Sequence, residues 1–209
     1  MTNFAFSRIV FISLIALLMS SEPGNSKSDI EANEFMNTLS QHIVNIVTDD
    51  KLSKAERNEK YYKLFVSSLD ILNISKFILS RYWDIATPEQ QQEFINLLEK
   101  ITVMIWANRF QMNYTNESLE ILSISNEDDR EWLVDSQITN KNNDKINLQW
   151  KLRESDDNSF LIFDVLINSI SMIITQRLDY NAIMRANNGN IDKLIEIMRT
   201  KLSQLQASH

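Results

Sequence analysis

Residues 160–174 read FLIFDVLINSISMII, and this run constrains the fold more than any other stretch. A strand with one wet face alternates apolar and polar residues, as LQWKLR does at 148–153. The later run is apolar on both faces, so it needs apolar material on each side of it. That material is either solid core on both faces, or core on one face and a cavity on the other. The run also carries a carboxylate, Asp164, between Phe163 and Val165. A buried carboxylate is costly unless it is hydrogen-bonded or paired, and Arg177 and Lys151 are its expected partners. Two readings of Asp164 stand side by side: a structural hydrogen bond at a strand edge, which the general behaviour of buried polar groups favours, and a contact to a ligand.

The rest of the chain supplies helices before this strand region and after it. Phe35, Leu39, Ile43, Ile46 and Val47 recur at helical spacing across residues 28–50. Ser53 and Glu56 form a capping-box pattern ahead of a second helix with Leu64, Phe65 and Leu69 as its buried stripe. A third helix is expected from Ile71 to Tyr82, with Ile74, Phe77 and Ile78 facing in. TPEQ at 87–90 is the clearest local signal: Thr87 caps, Pro88 takes the first helical position and Gln90 reaches back. That helix should run to about Gln111, with Phe94, Leu97, Leu98, Ile101, Met104, Ile105 and Phe110 along an apolar face.

After Asn113 the period changes. Residues 119–124, 132–138, 146–152 and 160–174 read as strands joined by polar turns, which is the pattern of an antiparallel meander. Helix returns near Leu178 and stops at Asn187-Asn188-Gly189, where glycine is free to turn left-handed. Ile191, Leu194, Ile195, Met198, Leu202 and Leu205 stripe the last helix. The fold class is therefore α+β: a helical N-terminal half and C-terminal helices packed on one face of a twisted antiparallel sheet of about four strands.

Residues 1–26 read as a secretory signal peptide. Arg8 precedes the apolar run from Ile9 to Met19, and small residues follow, with Ser20/Ser21 and Gly24 to Ser26 as cleavage regions. The run falls short of the roughly 20 residues that span a bilayer. An N-terminal membrane anchor is the alternative, and the lack of a cysteine near residue 20 argues against a lipoprotein one. Residues 27–209 form the expected folded unit, large enough for a core without staples.

Composition argues against most chemistry. There is no cysteine, which excludes disulfides and thiol catalysis. Two glycines cannot build a phosphate-cradling loop. His42 and His209 have no partner at metal-ligand spacing. The acidic groups at Glu127-Asp128-Asp129 and Asp156-Asp157 lack a glycine-bearing calcium loop and read as solvated turns. Asn113-Tyr114-Thr115 and Asn116-Glu117-Ser118 match a glycosylation pattern, at chance level in so asparagine-rich a chain. A net charge of −7 opposes binding to nucleic acid and stable adsorption to, or insertion into, anionic membranes. No enzyme and no metal or cofactor is expected.

Several segments carry a family resemblance. FILSRYWDIATPEQ at 77–90 resembles the "LG-x-Y-[WY]-x-x-A-T-P-x-Q" signature of the MlaC family, also called the toluene-tolerance auxiliary family. LQWKLR at 148–153, FLIFDV at 160–165 and SISMIITQR at 169–177 resemble its "[WY]-x-[IAV]-[YF]-D-[VM]…G-[VI]-S-[ML]" block, and NIDKL at 190–194 its terminal helix. Order and spacing agree from about residue 30 to 203. Two family glycines are replaced, by Ser80 and Ser169, which puts close backbone approach at those points in doubt.

The resemblance implies a soluble periplasmic phospholipid carrier of the Mla lipid transport system. Such carriers shuttle lipid between an inner-membrane ABC complex bearing an MCE-type ring and an outer-membrane lipoprotein complex, and so maintain outer-membrane lipid asymmetry. Acyl tails lie in a pocket between sheet and helices, with the phospholipid as cargo rather than cofactor. The family has no catalytic residues to carry over. The pocket expected from apolar pattern plus family architecture is lined or bordered by Tyr82, Phe94, Leu98, Ile101, Trp150, Phe163, Val165, Ile167 and Met172. The expected state is a monomer. The rivals are a periplasmic adaptor of an ABC transporter that carries no lipid, and a carrier of another apolar molecule such as a hopanoid or an aromatic solvent.

Overall fold

The computed structural model describes residues 28–113, 119–139 and 144–207. The expected signal peptide, both glycosylation patterns and His209 lie wholly or partly outside those residues, as do the side chains of Val47 and Phe110. The chain runs through α1 (Asp29–Thr48), α2 (Lys54–Ser68), α3 (Ile71–Leu79), a 3-10 turn (Ser80–Tyr82) and α4 (Pro88–Asn113). The strands β1 (Glu120–Asp128), β2 (Glu131–Thr139), β3 (Lys145–Glu154), β4 (Phe160–Ile167) and β5 (Ile170–Ser171) follow, then α5 (Met172–Ala186) and α6 (Ile191–Ala207). The sheet is an antiparallel meander in the order β1-β2-β3-β4-β5. The α+β class and the meander are as the sequence predicts, with five strands in place of about four.

Local chemistry starts α1, α2 and α4 where expected. Ser28 and Ser53 both close capping boxes, with Glu31 and Glu56 respectively. The Gln90 N–H donates to Thr87 Oγ1 at 3.2 Å, and the Thr87 N–H donates to Gln90 Oε1 at 3.0 Å. Gly189 ends the α5 region at φ 75°, its N–H donating to the Met184 carbonyl at 2.8 Å. The third helix is shorter than predicted: α3 gives way at Ser80 to the 3-10 turn.

The largest departure falls in the apolar run at 160–174. β4 stops at Ile167, not near Ile174, and α5 begins at Met172, not near Leu178. Asn168 and Ser169 turn the chain between them, with φ of 48° and 66°. Ile167 and Ile170 face each other across this two-residue turn. Two positive φ values in a two-residue hairpin loop are the requirement of a tight primed turn, which fits the right-handed twist of the strands. Periodicity misses it because apolar residues lie on both sides of the turn.

The helices do not all cover one sheet face, and the apolar residues form two cores. In the first, α1 and α2 lie on the inner sheet face, where Met36, Leu39, Ile43, Tyr61 and Phe65 meet Trp132, Val134, Trp150, Leu152, Phe160 and Ile162. The second is all-helical around Ile78, Phe94, Leu98, Ile101, Tyr180, Met184, Leu194 and Met198. The outer sheet face is polar: Asp135 accepts from Ser123 and Gln149, each at 2.8 Å, and Gln137 donates to Asn147.

β4 serves both cores. Its register against β3 slips between Lys151↔Asp164 and Leu152↔Ile162, which leaves Phe163 as an extra residue. Such a bulge reverses the inward-outward phase of a strand. Phe160, Ile162 and Val165 therefore belong to the sheet core, while Phe163 packs on the helical one, edge-on to Phe77 at 5.9 Å. This is the physical reason that the strand is apolar on both faces.

Candidate functional site

The two cores meet along a seam made by the α2–α3 junction, β4 and the first turn of α5. The junction is pinned to β4 by a parallel bridge between Leu69 and Ile162 and by the Asp70 N–H donating to the Ile162 carbonyl at 3.0 Å. A gap of about 30 Å³ lies in the seam, lined by Leu69, Ile74, Phe163, Val165, Met172 and Ile173 among others. A second gap, of about 10 Å³, lies between α1 and the sheet beside Ile43, Ile138 and Trp150. Pockets for drug-sized ligands measure about 300–1,000 Å³, so both gaps are closed to an acyl chain in this conformation.

The nine expected pocket residues fall into four places. Phe163, Val165 and Met172 share the seam gap. Trp150 borders the second gap, and its indole N–H donates to Ser136 Oγ at 2.9 Å. Ile167 packs at the rim of the sheet core. Phe94, Leu98 and Ile101 are fully buried in the helical core, and Tyr82 lies at that core's far end against a surface notch with Arg81 and Gly189. The apolar pattern overlooks Leu69, Ile74 and Ile173 as seam residues. Nothing in a one-dimensional pattern shows that the end of α2 and the start of α3 pair with β4.

Asp164 sits in the seam and is 3% exposed. Its partners are neither Arg177 nor Lys151. Ser171 Oγ donates to Oδ2 at 2.6 Å, and the Ile173 N–H donates to Oδ1 at 3.2 Å. Ser171 is itself the N-cap of α5 and accepts from the Ile174 N–H at 3.1 Å. The carboxylate thus fixes the start of α5 on β4, and its charge suits the positive end of the helix dipole. With both oxygens held by the chain itself, the structural reading of Asp164 stands. Arg177 instead lies over the Phe77 ring at 4.6 Å and donates to Ser80 Oγ at 2.9 Å.

The two serines in place of family glycines both have positive φ, 54° at Ser80 and 66° at Ser169. A non-glycine residue held there costs about 1–2 kcal/mol. At Ser80 the bond from Arg177 offsets the strain; no hydrogen bond from the Ser169 side chain does so among the described residues. Ser169→Gly should therefore stabilise the protein by about 1 kcal/mol, read as a rise in thermal midpoint of about 2–4 °C. A fall would show that the turn needs the serine.

Few polar groups reach the apolar interior. Burial pushes the Tyr180 hydroxyl up to about 12, so it stays neutral beside Phe94. Among the described residues no group of three acidic, histidine or cysteine side chains could hold a metal ion. None of the described helices is long and apolar enough to cross a membrane. Fold and seam define an α+β protein in which two apolar cores meet at a closed joint, with a single strand serving both.

The chain belongs to the MlaC family: the family model described as MlaC protein matches residues 37–200. A search of curated proteins finds no match. Among solved structures, the fold matches the phospholipid-binding protein from Ralstonia solanacearum in complex with a phospholipid, with a TM-score of 0.72 and 19% identity. The match covers 86% of this chain and 99% of that one.

Proposed function

We propose that this chain is a periplasmic phospholipid carrier, exported by a signal peptide at residues 1–26 and acting as a monomer over residues 27–209. It shuttles lipid between an inner-membrane ABC/MCE-type complex and an outer-membrane lipoprotein complex, and no catalytic step is involved. The observation that carries this reading is the seam: two separately packed apolar cores with a gap between them, in a member of this family. Widening the gap between β4, the α2–α3 junction and the start of α5 makes the apolar pocket, while α4, with Val103 in the first core and Phe94, Leu98 and Ile101 in the second, keeps the two cores joined.

Phe163, Val165, Met172, Leu69, Ile74 and Ile173 then meet the acyl tails first. Phe94, Leu98 and Ile101 stand behind them on the helical side, and Trp150 and Ile167 on the sheet side. Each buried methylene contributes about 0.8 kcal/mol, so two chains of roughly 16 carbons contribute on the order of 25 kcal/mol against exposure to water. That figure is why the tails must stay enclosed between membranes. Tail burial is indifferent to the headgroup, so broad headgroup tolerance follows. Release requires a partner that binds the open or empty state better than the loaded one.

The small gap favours a second reading, an adaptor that carries no lipid. Extraction of the purified protein followed by lipid mass spectrometry separates the two. A carrier retains phospholipid, whereas an adaptor yields none and takes none from vesicles.

A further inference from the structure

The helical core ends in an open notch of about 520 Å³, lined by Arg81, Tyr82, Ile85, Arg185, Asn188 and Gly189. The 3-10 turn after α3 supplies Arg81 and Tyr82, while the last turn of α5 and its glycine stop supply Arg185, Asn188 and Gly189. Among the described residues no acid lines the notch, although acids outnumber bases by 28 to 21 in the whole chain. Arg130, Arg153 and Arg199 each meet a carboxylate. Arg81 and Arg185 meet none among the described residues. Guanidinium groups stay charged, so the two repel each other across the notch, and an anion between them removes that repulsion.

Tyr82 points to an anion independently. It is 7% exposed, and its hydroxyl accepts from Arg81 Nη2 at 2.9 Å. That bond uses the oxygen and leaves the hydroxyl proton free to donate, and no acceptor for it stands among the described residues. The ring is held in place. The Arg81 guanidinium lies 4.9 Å from its centroid, and Gly189 packs so close that a Cβ there would stand 3.4 Å from Tyr82 Cε1. The carbonyls that end α5 would repel an anion, but they are spent: Ile183, Met184 and Arg185 accept from the Asn187, Gly189 and Asn188 N–H groups respectively. The notch thus offers two cationic forks and a hydroxyl donor. A carboxylate presents two oxygens in one plane, whereas a tetrahedral phosphate accepts from several directions and matches a guanidinium in bidentate fashion. Ile85, 67% exposed beside them, gives the organic part of a phosphate ester an apolar contact.

We propose that this notch binds a phosphate group, carried by a phosphate ester in solution or by a phospholipid headgroup at a bilayer surface. Long-range attraction cannot supply the affinity in a chain of net charge −7, so these donors must. Phosphate binding here is independent of lipid carriage, because none of the six notch residues lines the seam gap.

The soluble probe is glycerol phosphate, titrated into the full chain and followed by amide NMR. Saturable shifts should concentrate at Arg81, Ile85, Arg185 and Gly189. Arg185→Gln should weaken binding by about 10-fold. Tyr82→Phe keeps the ring against Gly189 and should weaken it by about 3-fold. Lys145→Gln removes the same charge as Arg185→Gln from an exposed position at the start of β3, and should change binding by less than about 2-fold. Equal losses from the Arg185 and Lys145 variants would mean diffuse attraction and would overturn the proposal, as would the same shifts from sodium chloride at matched ionic strength. Flotation with vesicles of phosphatidylglycerol and phosphatidylcholine separates the two sources. Flotation that depends on Arg185 assigns a bilayer headgroup, and glycerol phosphate binding without flotation assigns a soluble ester. If glycerol phosphate does not saturate and flotation does not depend on Arg185, the notch holds no phosphate.

Discussion

Asp164→Ala should destabilise the protein by about 2–4 kcal/mol, the combined effect of losing a charge-assisted acceptor and stranding its donors. In the native chain the carboxylate takes the Ser171 hydroxyl on one oxygen and the Ile173 N–H on the other. Alanine leaves that N–H buried with no acceptor, and Ser171 loses the group that orients it as the α5 cap. For a chain of this size the thermal midpoint should fall by about 5–15 °C. Asp164→Asn keeps an oxygen for Ile173 but offers an amide to Ser171, so its loss should be smaller, about 1–2 kcal/mol. Urea denaturation of the three proteins checks both values. If alanine costs less than about 0.5 kcal/mol, α5 is not held on β4 by this carboxylate.

A charge at the mouth of the seam should act on lipid rather than on folding. Met172 is half-buried, lines the seam gap and occupies the first position of α5. A carboxylate at the start of a helix is electrostatically favoured, so Met172→Glu should leave stability within about 1 kcal/mol of the native chain. Against an acyl tail the same carboxylate is unfavourable, because burying it dry costs several kcal/mol. Retained phospholipid should drop by at least about 10-fold, which requires only about 1.4 kcal/mol. Met172→Leu, of similar volume, should retain lipid like the native protein. Undiminished lipid in the glutamate variant would place the tails somewhere other than the seam.

Much of this fold is legible in the sequence because local chemistry announces it. Ser28, Ser53, Thr87 and Gly189 mark helix ends through hydrogen bonds that span only a few residues. Polar turns separate β1 to β4, so the meander reads directly. The turn at Asn168-Ser169 does not, because it lies inside an apolar run and lacks the glycine that usually flags it. The two-core arrangement is also hidden. It depends on a one-residue bulge at Phe163 and on the bridge between Leu69 and Ile162, which lie far apart in the chain. Asp164 shows the same limit: the sequence suggests ionic partners, while the real ones are a hydroxyl and a backbone N–H that only the turn brings within reach.

The candidate site follows that division. The apolar pattern and the family resemblance select nine residues, and three of them, Phe163, Val165 and Met172, share the seam gap. The others are divided between the cores or lie at their margins, since a helical stripe is apolar whether it faces a partner helix or a cavity. Ser80 and Ser169 mark real backbone requirements, met here at positive φ with a side chain present.

The central claim is that the seam opens to enclose phospholipid tails. The direct measurement is solvent extraction of the purified full chain, followed by quantitative lipid mass spectrometry. Phospholipid at close to one molecule per protein, with mixed headgroups, is the predicted result, and protein stripped of lipid should reload from vesicles. Protein that emerges without phospholipid and takes up none from vesicles would contradict the account.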